Sequence, residues 1–143
     1  MASVHFYYAD VAPLSLRKKK LIRQFVVDIF LLEGKGLEKM NYIFCSDNYL
    51  LEINRKHLQH DYYTDIITFD LSDGDLTVGE VYISIDRVKE NSRTLGVPFK
   101  EEILRVIFHG ALHLIGYKDK KKSEITLMRE KEEHYLRLFG TKK

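Results

Sequence analysis

The sequence predicts an α+β fold in which a small mixed four-stranded sheet is packed with about five helices. Three observations carry that expectation. Stretches with apolar residues at helical spacing alternate with short runs rich in valine, isoleucine, tyrosine and phenylalanine. Two of those runs flank Ser72-Asp73-Gly74, the residue types of a tight turn, and read as a hairpin. The chain of 143 residues is 45% hydrophobic, enough for one core, so a single domain over residues 1–143 is expected.

Taken in order, Val4 to Tyr8 form the first strand. After Pro13 and Ser15 a helix runs from about Leu16 to Leu32, with Leu21, Ile22, Phe25, Val26, Ile29 and Phe30 on one side; Gly34 and Gly36 end it. Asn41 to Ser46 form a second strand, and Ser46 or Asp47 caps a short helix to about Lys56. Ile66 to Asp70 and Val78 to Ser84 are the hairpin strands. Asp86 caps a helix through about Leu95, and Pro98 opens the next, which carries two histidines. Ser123 with Glu124 begins an amphipathic last helix to about Leu138. No repeat, low-complexity segment or linker interrupts the order.

Cys45 is the only cysteine, which rules out an internal disulfide and disfavours thiolate metal sites. Any metal must be held by histidine and carboxylate. The start M-A-S-V-H-F-Y-Y-A-D lacks the charged opening and long apolar run of a signal peptide, and no stretch has the length of a membrane span, so a cytoplasmic protein is expected.

The segment from Phe108 to Asp119, F-H-G-A-L-H-L-I-G-Y-K-D, carries the chemistry. His109 and His113 lie about 40° apart around a helix axis and about 6 Å apart along it, close enough for one ion to bridge them. A chain leaving the helix at Gly116 in a left-handed turn could fold Asp119 back as a third ligand. Three protein ligands with the fourth position open is the arrangement of a catalytic zinc ion. The pair alone is also what two partly buried imidazoles hydrogen-bonded to neighbours would give. Two features favour the metal. Apolar residues surround this helix almost completely, so the imidazoles need partners, and Gly110 costs about 0.5–1 kcal/mol relative to alanine unless something approaches closely there.

A net charge of +2 does not by itself indicate a nucleic-acid partner, but its distribution is uneven. Arg17 to Lys20 form the run R-K-K-K, and Lys118, Lys120, Lys121 and Lys122 surround Asp119. Such runs serve as solvated helix ends, yet beside a hydrolytic metal they suit a polyanionic substrate.

The string from His109 to Asp119 resembles the signature H-G-x-L-H-L-x-G-Y-D-H of the YbeY family of rRNA maturation factors, bacterial metal-dependent endoribonucleases. N-R-K-H-L-Q-H-D-Y-Y-T-D-I-I-T-F, from Asn54 to Phe69, is similar to the family's central segment, and G-E-V-Y-I-S-I-D, from Gly79 to Asp86, to the strand that follows. The three motifs cover most of the chain from about residue 40 to residue 130.

The resemblance implies one Zn2+ per chain held by His109, His113 and Asp119 on a zincin-like helix. It further implies a single-strand-specific endoribonuclease acting in small-subunit (16S) rRNA 3′-end maturation and ribosome quality control. Its partners would be rRNA and small-subunit proteins, with no DNA and no membrane. Hydrolysis would use zinc-activated water against the phosphodiester. The sequence departs from the family in two places. Asp119 stands where most members have histidine, an acceptable oxygen ligand that adds one negative charge. Leu58 stands where the family has an arginine thought to face substrate; Arg55, Lys56 or His60 could supply the cation, with Lys118 and Lys120 beside the third ligand. The general base is unassigned: Glu80, Asp65 and Asp86 are candidates, and each also reads as a cap, turn or surface residue. Two other classes are a zinc peptidase, which needs a carboxylate at the position of Gly110, and a ribosome-assembly factor that binds RNA around a structural metal without cutting it.

Overall fold

A computed structural model describes residues 1–59 and 63–140. Four strands and five helices follow the order β1 (Ser3–Tyr8), α1 (Lys19–Leu32), β2 (Leu37–Cys45), α2 (Asp47–Leu58), β3 (Ile66–Asp70), β4 (Thr77–Ser84), α3 (Ile85–Leu95), α4 (Phe99–Ile115) and α5 (Lys122–Gly140). The sheet has strand order β1-β2-β4-β3. It is mixed, as expected: β1 with β2 and β2 with β4 are parallel, in the register Phe6↔Tyr42↔Val81, whereas β3 and β4 form the antiparallel hairpin with Ile66 opposite Ile83.

Alternation decides the two faces. Met40, Tyr42 and Phe44 of β2 and Val81 and Ile83 of β4 are buried beneath the helices that carry the main core, with Phe25, Ile29, Ile103, Ile107 and Phe108 among their neighbours. Here α1 lies against β1 and α4 against β3 and β4, with α3 and α5 packed on α4. The opposite face carries the smaller cluster of Cys45, Leu50 and Ile67 under α2. Among the described residues, no helix is long and apolar enough to cross a membrane.

Several boundaries differ from the sequence expectation. Helix α1 begins at Lys19 rather than Leu16, because Lys18 adopts left-handed dihedrals (φ 61°) and a right-handed helix cannot continue back through it. Strand β2 starts at Leu37 rather than Asn41, since Leu37 pairs with Thr77 across a register irregularity. Helix α2 runs on to Leu58, and left-handed Gln59 stops it. Asp86 does not cap α3: the hydroxyl of Ser84 accepts the Arg87 N–H at 3.1 Å, while the Asp86 carboxylate accepts the N–H of Asp47, the first residue of α2. Asp86 thus serves a helix terminus, but a different one. At α5, Glu124 Oε1 accepts the N–H groups of Lys120 and Lys121 and closes the turn entering the helix.

The seat of α4 explains Gly110. A methyl group there would come within 2.9 Å of Val81 Cγ1 and 3.2 Å of Ile66 Cδ1. Also on β4, the missing side chain of Gly79 leaves room for Leu114. Tyr42 adds a polar tie, its buried hydroxyl donating to the Ile107 carbonyl at 2.7 Å. The helix is therefore held close to the sheet by two absent side chains, and this fixes the height at which its histidines stand.

Candidate metal centre

His109 and His113 lie one turn apart on α4, with ring centroids separated by 4.7 Å and ring planes at 78°. Gly116 (φ 129°) ends the helix, donating to the carbonyls of His113 and Leu112, and the Tyr117 N–H also returns to Leu112. This reversal carries Asp119 back over the histidines, as the helix-stopping glycine predicts. Asp119 Oδ2 lies 3.3 Å from His109 Nε2 and 3.4 Å from His113 Nε2. Among the described residues these three form a group whose donor atoms all lie within 4.8 Å of one another.

Those two distances suit a ligand set as well as a long ion pair. A charge-assisted N–H···O bond closes to about 2.7–2.9 Å, so neither contact is a good one. Ligands bound at about 2.0–2.1 Å in a tetrahedron stand about 3.3–3.4 Å apart along each edge. The donors present, two imidazoles and one carboxylate, also match the chemistry of a zinc or similar site.

The triad borders a cleft of about 570 Å³ between α4, α5 and the start of β3. Asp65 lines it. Its carbonyl accepts the Ser84 N–H, extending the ladder beyond Ile66, and its carboxylate accepts from Asn91 at 3.3 Å. Burial, with Glu132 and Asp119 nearby, holds the Asp65 carboxyl above the ordinary aspartate value, against an opposing pull from His109. Burial likewise raises Glu102 despite Arg105. For His109 burial works against protonation, but the adjacent Glu132, Asp119 and Asp65 outweigh it and raise the imidazole above its usual value.

The cations fall less neatly. Lys118 and Lys120 flank Asp119 and are exposed. Arg55 and Lys56 sit in the last turn of α2, where Arg55 pairs with Glu52 at 2.9 Å, and neither lines the cleft. Leu58, at the end of α2, is exposed. His60 lies outside the described residues. Of the three candidate bases, Glu80 is on the sheet face opposite Val81 and takes the Tyr82 hydroxyl, and Asp86 is engaged at α2; only Asp65 reaches the cleft.

Arg105, Arg129 and Glu132 also line the cleft, and sequence reasoning passed over all three. Glu132 left a signal: it occupies the buried register of Met128, Tyr135 and Phe139 on α5, where a hydrophobe is the ordinary occupant.

The family model described as Endoribonuclease YbeY matches residues 11–140. A protein named Endoribonuclease YbeY from Flavobacterium psychrophilum is 50% identical over 127 residues, covering 89% of this chain and 91% of that protein. One of the same name from Cytophaga hutchinsonii is 46% identical over 134 residues, 93% of this chain and 94% of that protein. The solution structure of TM1509 from Thermotoga maritima superposes with a TM-score of 0.66 at 27% identity, covering 95% of this chain and 88% of that one. A match that takes in strands β2, β3 and β4, the histidine helix and the returning loop alike leaves one conclusion: the chain belongs to the YbeY family of endoribonucleases.

Proposed function

We propose that this protein is a single-strand-specific endoribonuclease of small-subunit (16S) rRNA 3′-end maturation, with rRNA and small-subunit proteins as its partners. In this reading one Zn2+ is held by His109, His113 and Asp119. The convergence of two imidazoles on a single carboxylate oxygen, at 3.3 and 3.4 Å, carries the reading. When bound, such an ion supplies a Lewis acid that polarises a phosphoryl oxygen and makes water a competent nucleophile near neutral pH. The chain supplies the rest. Asp65, half-buried at the cleft wall, would accept the proton of the attacking oxygen, and its raised pKa brings it toward the range useful to a general base. Lys118 and Lys120 present positive charge beside the triad for the RNA backbone.

Gly110 weighs against peptidase chemistry. The glutamate of H-E-x-x-H would have to stand there, where even one methyl group collides with Val81. Metal analysis beside an RNA-cleavage assay tests the proposal. The wild type should carry about one zinc per chain and cut single-stranded RNA; His113→Ala should lose both. Full zinc occupancy in His109→Ala and His113→Ala would refute the site, and zinc binding without cleavage would favour a non-cutting assembly factor.

A further inference from the structure

Glu132 is a buried carboxylate in a helix face otherwise made of Met128, Tyr135 and Phe139. Its Oε2 lies 2.5 Å from His109 Nδ1, and its Oε1 lies 3.5 Å from Arg105 Nη1. The other nitrogen of the same imidazole, Nε2, faces Asp119 across 3.3 Å. The two ring nitrogens therefore face different carboxylates. A carboxylate accepting from Nδ1–H leaves the lone pair on Nε2, which is the form in which histidine binds a metal.

Arg105 flanks that carboxylate on its other oxygen. Its guanidinium meets buried Glu102 at 3.5 Å and Glu133, nearer the surface, at 2.6 Å. One cation thus stands between Glu102 and Glu132 inside the protein, while Glu132 Oε2 stays directed at the imidazole.

We propose that Glu132, held by Arg105, is a positioning residue of the metal centre: it fixes the tautomer and ring plane of His109, and its charge makes Nε2 a stronger donor. The inference rests on His109 being a ligand. A purely mechanical tie between α4 and α5 would leave metal affinity untouched, and that difference is measurable.

Zinc affinity of the full chain, titrated against a competing chelator, separates the two. Glu132→Ala should weaken binding by about 10–100-fold. Glu132→Gln keeps the shape and an acceptor oxygen but not the charge, and should show an intermediate loss. Glu133→Gln, which touches Arg105 but not His109, should bind as the wild type does. In the zinc-loaded, ¹⁵N-labelled wild type, the Nδ1 proton of His109 should resonate far downfield, and that signal should disappear in Glu132→Ala. Wild-type affinity in folded Glu132→Gln and Glu132→Ala would overturn the proposal; if the alanine variant does not fold, wild-type affinity in the glutamine variant alone overturns it. Failure of the wild type to bind zinc at all would instead strike at the ligand assignment.

Discussion

Replacing Gly110 with alanine sets two effects of similar size against each other. Helix propensity favours alanine by about 0.8–1.0 kcal/mol. Against this, the new methyl group meets Val81 Cγ1 at 2.9 Å and Ile66 Cδ1 at 3.2 Å. Val81 is fully buried in β4 and β-branched, so it has little rotamer freedom with which to retreat. Overpacking of this kind costs about 1–3 kcal/mol, leaving a net loss of about 0–2 kcal/mol. At about 2.1 cal/mol/K per residue, a chain of this length has an unfolding entropy near 0.3 kcal/mol/K, so Tm falls by up to about 7 °C. Calorimetry on chelator-treated protein measures this without a contribution from metal binding. Gly140→Ala, where nothing lies within 4 Å of the added carbon, is the reference and should match or exceed the wild type. A Gly110→Ala protein melting above the wild type would refute the close seat of α4 on the sheet.

Further outcomes follow from the same geometry. If Asp65 is the proton acceptor, cleavage falls as pH drops through its raised pKa, so the acid limb of the rate profile lies above the usual aspartate range. Asp65→Asn should remove that limb and lower the rate by about 10²–10⁴-fold with zinc affinity retained; an unchanged profile would exclude the role. Glu33 behaves oppositely: burial opposes its ionisation, but hydrogen bonds from Tyr117, Tyr135 and Lys131 outweigh it and hold the carboxyl below its ordinary value of 4.5. The stability it contributes is complete above that value and is lost as pH falls through the lower folded pKa. Glu33→Gln should therefore cost about 1.5–3 kcal/mol at neutral pH and flatten the acid loss of Tm, whereas parallel curves would contradict the assignment. Neutralising Lys118, Lys120, Lys121 and Lys122 should reduce the slope of log RNA affinity against log salt by roughly 0.7 for each phosphate no longer paired with a cation, with bound zinc unchanged. An unaltered slope would move RNA to another face, with Arg17 to Lys20 next to be tested.

What the sequence disclosed depended on whether the signal was local. The i, i+4 histidines, the stop at Gly116 and the hairpin around Ser72-Asp73-Gly74 are short-range facts, and each appears in place. Ser84 displaced Asp86 as the α3 cap because Asp86 had a competing partner 39 positions away. The collision that explains Gly110 comes from Val81 and Ile66, on strands no helical periodicity can locate. Arg55 and Lys56 stand near the motifs in sequence, yet the packing of α2 on the sheet face opposite α4 keeps them from lining the cleft. Glu132 was the readable omission, since a carboxylate in the core-facing register of an amphipathic helix is itself an anomaly.

The loop that delivers Asp119 is tied at both ends. Upstream, Tyr117 donates its hydroxyl to Glu33 at 2.6 Å; downstream, the Lys120 N–H is held by Glu124 at 3.2 Å. Glu33 also receives Tyr135 and Lys131, so the end of α1 grips both the loop and α5. Only Lys118 and Asp119 lie between the fixed points, which makes the span a strap of set length. A single inserted residue would throw the carboxylate out of register, although exposed loops elsewhere absorb insertions at small entropic cost. The strap's upstream anchor is the residue that closes α1, 84 positions before Tyr117, so adding or removing a turn of that helix would shift the carboxylate of a candidate site it never touches.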